Sequence, residues 1–357
     1  MLNTTETRVF QPGQQTVELT GSLEDINDYF YQRGWTDGLP IIPPTSERVD
    51  HLLTGWPGDA QEEIAEVPPR MGVASVEAIA VNAVMAGCKP EYLPVVVAAL
   101  SAVTKPRYGL SHRQTTTHPA TALIIVNGPM VKRLCLNYGS GLFGPGWRAN
   151  ATIGRALRFC LINIGGATPG TVDRAQHAHP GKYTYCMAEN EDANPWEPLH
   201  VERGFPQTTS TVTLMCGEAP HCITDNFNTH PVDLLIGYAD SMATLGGNNL
   251  SSQGEPVLVM APEHAANIAA AGWSKADVKQ FLFEHARKPW KLVGPRGKSK
   301  GPFFPNWVDR RDPDAMVPIV THADALILVV AGGEGQKSMW IPTPGAQTLS
   351  VTEAIRA

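Results

Sequence analysis

The chain has 357 residues, of which 43% are hydrophobic and 17% charged, and its formal net charge is −6 at pH 7. This length exceeds the size at which a single core usually stops growing, and the composition is that of a folded α/β protein, not a disordered chain. The acidic balance argues against a nucleic-acid partner, because the only cationic run is the short KLVGPRGKSKG at 291–301.

Three further features concern the compartment. The opening MLNTTETRVFQPGQQ is polar and lacks the apolar stretch of a signal peptide. Apolar runs such as YLPVVVAAL fall well short of the roughly 18–20 residues that span a bilayer. The six cysteines are scattered without a CxxC pair, which favours reduced thiols and gives no zinc or thioredoxin motif. We therefore predict a cytoplasmic protein without a membrane or nucleic-acid partner.

The N-terminal part of the chain is predicted to be mainly helical. Residues 1–22 carry few apolar anchors and are expected to form an arm. In SLEDINDYFYQRGW, Ser22 and Asp25 have the spacing of a helix start, apolar residues follow at helical intervals, and Gly34 ends the pattern. Further helices are predicted in TSERVDHLL, SVEAIAVNAVMAG and KPEYLPVVVAALSAV, so that residues 23–115 form a mainly helical region.

From about residue 116 the pattern changes to continuous apolar, β-branched runs closed by turn residues. Such runs are typical of strands that are buried on both faces. They occur in ATALIIVNGP (120–129), STVTLMCGEAP (210–220), EPVLVMAPEH (255–264) and DALILVVAGGEG (324–335). Helices are predicted in the segments that follow the first three.

Strands separated by helices indicate a mostly parallel sheet with crossover helices. The predicted fold is therefore α/β, with such a sheet in a domain at 116–345, preceded by the mainly helical N-terminal region and followed by a tail at 346–357. Two similar successions of strand, turn and helix suggest related halves at 116–205 and 206–345. Since ligands of such folds bind beyond the carboxyl ends of the strands, the turns after the four strands are expected to line one face.

Two segments have features of an anion site. Residues 332–338 resemble a backbone nest to which Lys337 and Ser338 add a charge and a hydroxyl, although a glycine turn that only fixes a strand exit is equally consistent with them. FGPGWRANATIGRALRF begins a helix beside Arg148, and free N–H groups at a helix start attract anions. The residues predicted to bind substrate are Arg148, Asn150, Lys182, Asn248, Asn249, Glu263, His264, Gly333, Gly335, Lys337 and Ser338.

The stretch CMAENEDANPWEPLHVERG at 186–204 is the main catalytic candidate. It has no helical period and contains two prolines, which predicts a loop, either solvated or at the rim of an active site. Carboxylates beside a histidine suit proton transfer, because burial raises a carboxyl pKa towards neutrality. We predict that Glu189 or Glu197, together with His200, is buried against a pocket. The residues predicted to act in catalysis are His118, His179, Glu189, Glu197, His200 and His221.

The sequence indicates metal ligands and reactive thiols less clearly than it indicates acid/base groups. His177 and His179 lie two apart, a spacing that some metal ligands have on an extended segment, but a lone histidine is more often a hydrogen-bonded structural group. A divalent metal is therefore compatible with the sequence, and the cofactor is left unassigned. Cys186, Cys216 and Cys222 lie near charged or strand-end residues and are the candidates for a reactive thiolate.

Long segments of the chain resemble a group of bacterial proteins that are related to proteins with a UGSC or CGSC motif and are known mainly as uncharacterised. The segments are RGWTDGLPIIPPT, NAVMAGCKPEYLPVVVAAL, FGPGWRANATIGRALR, HPGKYTYCMAENEDANPWEPLHVERGF and GEPVLVMAPEHAANIAAAGWSKADVKQFLFEHAR. The resemblance covers residues 30 to 335 approximately and implies no particular activity. The CGSC tetrad is absent here, so the resemblance assigns no thiol or selenol mechanism to any residue.

The leading hypothesis is an enzyme that acts on a small polar or anionic organic molecule, a hydrolase or lyase that uses acid/base or metal-assisted chemistry. A thiol-dependent redox enzyme and a non-catalytic anion- or metal-binding protein are the alternatives. The expected partners are a small-molecule substrate and further copies of the chain in a homo-oligomer.

Overall fold

The computed structural model describes residues 5–11, 16–294, 306–345 and 349–356. Most of the cationic run at 291–301 therefore lies outside the described residues. The helices are α1 (Leu23–Gln32), α2 (Ser46–Leu53), α3 (Val76–Ala86), α4 (Leu93–Thr104), α5 (Leu110–Gln114), α6 (Met130–Arg133), α7 (Arg148–Asn163), α8 (Leu199–Glu202), α9 (Pro231–Met242), α10 (Asn248–Ser252), α11 (Pro262–Ala270), α12 (Lys275–His285) and α13 (Trp290–Val293). The strands are β1 (Thr5–Phe10), β2 (Thr16–Gly21), β3 (Glu63–Val67), β4 (Gly72–Ser75), β5 (Thr121–Asn127), β6 (Cys186–Ala188), β7 (Thr211–Gly217), β8 (His221–Thr224), β9 (Val257–Met260), β10 (Arg287–Pro289), β11 (Met316–Pro318), β12 (Ile327–Val330), β13 (Lys337–Ile341) and β14 (Val351–Ala354).

Two four-stranded sheets form the centre of the protein. The first has the order β14-β7-β5-β6 and the second the order β12-β9-β13-β8. Within them only β5 with β6 and β9 with β12 run parallel, while the other neighbours are antiparallel. Both central sheets are therefore mixed, and the three two-stranded pairs β1-β2, β3-β4 and β10-β11 are antiparallel.

The prediction of a mostly parallel sheet with crossover helices is thus wrong. All four predicted strands form, as β5, β7, β9 and β12, but they are divided between two sheets, and β5 runs antiparallel to β7. An apolar run on both faces of a strand shows that both faces are buried, but it does not show what covers them. Here one face of each sheet is covered by the other sheet and not by a helix.

The alternation of side chains shows how the layers pack. Leu123 and Ile125 of β5 point into a core that they share with Val257 and Val259 of β9, and this core lies between the two sheets. Ile124 points the other way, into a core with α3, α4 and α7. The outer face of the second sheet packs against α9, α11 and α12. The result is a layered arrangement of helices, sheet, sheet and helices.

The prediction of a mainly helical N-terminal part is also wrong: β1 and β2 form within residues 1–22, and β3 and β4 lie between α2 and α3, although the four predicted helices form as α1 to α4. The hairpin of β1 and β2 lies where an arm was expected. In β2 the apolar residues alternate with polar ones, as in a strand with one face in solvent. A strand of only six residues is too short for this alternation to predict it clearly from the sequence. Ser22 and Asp25 do form a capping box at α1, as predicted.

The C-terminal segment also joins the first sheet. Within the predicted tail, β14 pairs with β7, with Val351 opposite Leu214. None of the helices in the described part of the chain is both long and apolar enough to cross a membrane.

Candidate functional site

The turns after the predicted strands do not line a single face. Asn127, at the end of β5, is opposite Thr211 at the start of β7, and Thr121 is opposite Gly217. Because the two strands are antiparallel, the turns that follow them lie at opposite ends of the sheet. The end of β6, which runs parallel to β5, instead adjoins the end of β12 in the second sheet, where the Asn190 N–H donates to the Val330 carbonyl at 2.8 Å.

A cleft of about 240 Å³ opens beyond the carboxyl ends of β5 and β6, and we call it the acidic cleft. Its charged lining consists of Glu189, Glu191, Asp192 and Lys132. Lys132 pairs with Asp192 at the exposed rim, at 2.8 Å. With three carboxylates and one ammonium, the lining carries an excess of negative charge.

Asn127 ties two of these carboxylates together. Its buried Nδ2 donates to Glu189 Oε2 at 2.6 Å and to Glu191 Oε1 at 3.0 Å. The Gly128 N–H donates to the same Glu191 oxygen at 2.6 Å. Gly128 has φ of +84°, and a Cβ there would lie 2.5 Å from the Thr209 carbonyl oxygen, so only glycine allows this approach.

Glu189 is almost completely buried, at 1% exposure. Its Oε2 also accepts from the Leu199 N–H, and its Oε1 accepts from Asn194 Nδ2, both at 2.8 Å. Burial raises the pKa of Glu189, although Lys275 and the N–H donors act in the opposite direction. A carboxyl whose pKa is raised towards neutrality is suited to exchanging protons near physiological pH.

His200 lies directly behind Glu191 and is fully buried. Its Nδ1 is 3.7 Å from Glu191 Oε1 and accepts or donates no hydrogen bond within the described ranges, while its Nε2 lies 3.4 Å from the Gln207 carbonyl oxygen.

Two buried lysines of α12 contact the 186–204 segment. Lys275 and Lys279 of α12 are 5% and 3% exposed, and both contact Glu202 of α8, Lys275 at 2.6 Å. Lys275 also donates to the Glu197 carbonyl at 3.1 Å. One carboxylate thus holds two ammonium groups under the 186–204 segment, and Lys275 acts electrostatically on Glu189.

The predicted burial of the acidic segment is confirmed for Glu189 and His200, whereas the side chain of Glu197 is exposed. Two other predicted catalytic histidines lie at the opposite end of β5. His118 Nε2 is 2.7 Å from Glu218 Oε1, and His179 accepts the Gly181 N–H at 3.2 Å through Nδ1.

His179 and His221 occupy different surroundings. The Nε2 of His179 lies 3.3 Å from the Gly217 carbonyl oxygen, and burial lowers the pKa of this histidine. His221 is exposed on β8, the outermost strand of the second sheet.

The predicted substrate-binding residues around α7 contact the backbone. Arg148 donates through Nε and Nη2 to the Gly87 carbonyl, at 3.1 and 3.0 Å, at the end of α3. Asn150 is buried and exchanges hydrogen bonds with the backbone of Asn137. Lys182 binds Asp173 in a second cleft, considered below.

The predicted substrate-binding residues near the second sheet also make hydrogen bonds within the protein. Asn248 donates to the Thr343 carbonyl, and Asn249 accepts the Thr343 N–H. His264 is buried, and its Nδ1 lies 2.6 Å from the Tyr238 hydroxyl, which in turn lies 2.5 Å from Ser338 Oγ. These contacts connect secondary-structure elements, away from the acidic cleft.

The predicted anion-binding turn at residues 332–338 packs against the segment that contains Tyr138 and Ser140. The Gly332 N–H donates to the Tyr138 carbonyl at 2.9 Å, and Gly333 lies so close to Ser140 that a Cβ would approach its side chain to 2.9 Å. Gly335 has φ of +124°, while Lys337 and Glu263 are exposed. The contacts of Gly332 and Gly333 agree with the alternative interpretation, a glycine turn that fixes a strand exit.

No protein-family model, curated protein or solved structure matches the chain. Within the described ranges, no group of three or more histidine, cysteine, aspartate or glutamate side chains is arranged to hold a metal ion. In the acidic cleft, moreover, the Asn127 and Gly128 N–H groups already occupy Glu191 Oε1, so a cation at that oxygen would meet two donors.

Sequence reasoning missed Glu191, Lys275 and Lys279 as site residues. A signal for the lysines was present, since both lie on one face of α12 with the apolar Val278 and Leu282, at three- and four-residue spacing. Glu191 had no comparable signal among the five carboxylates of its segment.

We expect Asn127→Asp to destabilise the protein by about 1–3 kcal/mol at pH 7, because it replaces a shared donor by a third buried carboxylate. Facing Glu189 and Glu191, the new carboxyl would have a higher pKa in the folded than in the unfolded protein. The folded state would then bind more protons, so the loss should shrink as the pH falls. Urea unfolding at pH 7 and pH 5 measures this, with Asn226→Asp, at an exposed asparagine, as control. An equal or larger loss at pH 5 would contradict the assigned contacts.

Proposed function

We propose that the protein is an acid/base enzyme of the hydrolase or lyase type that acts on a small polar organic molecule in the acidic cleft. The observation that carries the proposal is the fully buried His200, whose Nδ1 lies 3.7 Å from Glu191 Oε1 behind the cleft wall. An imidazole this close to a carboxylate can come within hydrogen-bond distance of it when substrate binds, and such a pair can take a proton from substrate and return it.

The roles follow from position. Glu191 lines the cleft and is the group that would exchange a proton with substrate, while His200 would hold or share that proton from behind. Glu189, with its pKa raised by burial, is a second proton-exchanging group in the same wall. Asn127 fixes the two carboxylates relative to each other, and such fixed geometry lowers the cost of reaching the transition state.

The charge of the cleft restricts the substrate. Three carboxylates face one lysine in the lining, so a neutral or cationic polar molecule is favoured there over an anion. A divalent metal, the homo-oligomer, the cytoplasmic location and the resemblance to UGSC/CGSC-related proteins remain predictions. Metal analysis of the purified protein by native mass spectrometry tests the first two directly.

The thiol alternative has less support. Burial raises the pKa of Cys216 to about 11 and also raises the pKa of Cys186, which disfavours the thiolate that nucleophilic or redox chemistry requires. Cys222 is exposed, with its Sγ 3.5 Å from Thr224 Oγ1. The described contacts thus provide no cation to activate it.

A substrate panel tests the proposal. Purified protein would be incubated with neutral and cationic small amides, esters, hydroxy compounds and amines, and products would be followed by NMR. Turnover of one class, lost in His200→Asn, is the expected result. Binding of a panel member without turnover would instead favour a non-catalytic binding protein.

A further inference from the structure

A second cleft lies at the other end of β5, against α7 and residues 169–183. Its volume is about 460 Å³ and its charged lining includes Arg158, Asp173 and Lys182; we call it the basic cleft. His179, which also lines it, contacts the carbonyl of Gly217. The seven residues of β5 separate this end from Asn127 by about 20 Å, so the basic cleft is distinct from the acidic one.

The wall of the basic cleft carries a nearly buried cluster of charges. Asp173 accepts from Lys182 Nζ at 2.8 and 2.7 Å and from Arg158 Nη2 at 2.8 Å. The side chains of Arg158 and Lys182 are 10% and 11% exposed, and that of Asp173 is 5% exposed. Two cations therefore share one anion, which leaves one positive charge uncompensated.

The other carboxylate of the lining does not cancel this charge. Asp37 is paired with Arg155 in a two-bond arrangement, at 2.7 and 2.9 Å. Each anion of the wall thus has its own cation, and the excess remains with Arg158 and Lys182. An uncompensated charge in a partly desolvated wall favours binding of an opposite charge.

Arg158 and Lys182 have more N–H donors than the ones they direct to Asp173, so donors remain for a ligand. Lys182 has three ammonium hydrogens, of which two are directed to Asp173, and Arg158 directs Nη2 to it. Burial lowers the pKa of Lys182 even though Asp173 and its hydrogen bond raise it, so Asp173 does not restore the solvation that the ammonium has lost. A second anion at the ammonium would restore part of it.

The rest of the lining is largely apolar. Ile162, Pro169 and Pro180 contribute hydrocarbon surface, and the ring of Tyr183 is 49% exposed at the edge. A cleft with one excess positive charge and largely apolar walls selects a ligand that has one negatively charged group and an apolar body.

We propose that the basic cleft binds a small monocarboxylate with an aromatic or branched aliphatic body, its carboxylate at Lys182 and Arg158 and its body against Ile162 and Tyr183. This site is separate from the proposed acid/base centre and does not depend on it. The planar donors of Arg158 match a carboxylate, and a single excess charge matches a monoanion.

Benzoate, benzamide and benzylamine are the probes, with binding measured by isothermal titration and ligand-observed NMR on the full chain. Benzoate should bind at least tenfold more tightly than either uncharged benzamide or cationic benzylamine. Lys182→Met should weaken benzoate at least tenfold, and the control Lys89→Met, at an exposed lysine, should leave it unchanged. Equal binding of benzoate and benzamide would overturn the proposal, as would full benzoate affinity in folded Lys182→Met.

A second variant avoids the buried charges. Tyr183→Ala changes an exposed ring and should weaken benzoate severalfold while leaving acetate binding unchanged, because acetate has no body to pack on the ring. If Lys182→Met fails to fold, this variant alone decides the question. Unchanged benzoate affinity in Tyr183→Ala would place the ligand elsewhere and overturn the assignment.

Discussion

Glu191→Gln is expected to lower turnover of a substrate found in the panel by about 10²–10⁴-fold, the usual contribution of a general acid or base. The glutamine carbonyl still accepts from Gly128 and Asn127, so the cleft should keep its shape, but the side chain no longer carries an exchangeable proton. Steady-state kinetics should show the loss mainly in kcat, because the proton is transferred in the transition state.

Asp192→Asn is the control for this result. Asp192 lines the same cleft, but its side chain is 60% exposed and it pairs only with Lys132 among the described residues. We expect turnover within about threefold of the unmodified protein, since an exposed ion pair has little energetic weight. Equal losses in Glu191→Gln and Asp192→Asn would point to the overall charge of the cleft and against a specific role for Glu191.

Glu202→Gln is expected to destabilise the fold by about 3–5 kcal/mol, the largest stability effect that we predict. The substitution removes the carboxylate that contacts both Lys275 and Lys279, so two buried ammonium groups would face each other without this anion between them. Denaturant unfolding measures the change, with Glu334→Gln, at an exposed glutamate, as control.

The pH dependence of this effect has a defined sign. Burial raises the pKa of Glu202, but Lys275 and Lys279 more than offset it, so the pKa in the folded protein is below its ordinary value of 4.5. The carboxylate therefore stabilises the fold above the unfolded pKa and loses this contribution as the pH falls through the lower folded pKa. The difference between Glu202→Gln and the unmodified protein should be full at pH 7 and vanish in acid. A difference that persists unchanged below pH 3 would contradict the assignment.

Local structure was largely predictable, but the pairing of strands was not. The apolar run that contains Leu123 and Ile124 correctly indicated a strand buried on both faces, because alternate residues enter different cores. The same run gives no information on strand direction. Direction depends on long-range register, such as Thr121 opposite Gly217, which no local pattern encodes.

In the candidate site, too, burial could be predicted from the local sequence, whereas the contacts between distant segments could not. Burial of Glu189 and His200 was predicted from carboxylates beside a histidine in a segment with two prolines. Which carboxylate meets the histidine depends on the turn at Gly128, whose N–H holds Glu191 from a segment more than sixty residues earlier in the chain. Arg148 was predicted to bind an anion because it stands at the start of a helix. It instead donates to the Gly87 carbonyl at the end of α3, a long-range contact that the local sequence does not indicate.

The proximity of His200 Nδ1 to Glu191 can be measured without a substrate, by ¹⁵N NMR of the His200 ring. The resonances are assigned by comparison with His200→Asn. Because Nδ1 faces Glu191 and Nε2 faces the Gln207 carbonyl, Glu191→Gln should shift the Nδ1 resonance clearly more than that of Nε2. Identical Nδ1 resonances in Glu191→Gln and in the unmodified protein would show that Nδ1 does not face Glu191 and would contradict the proposed acid/base pair.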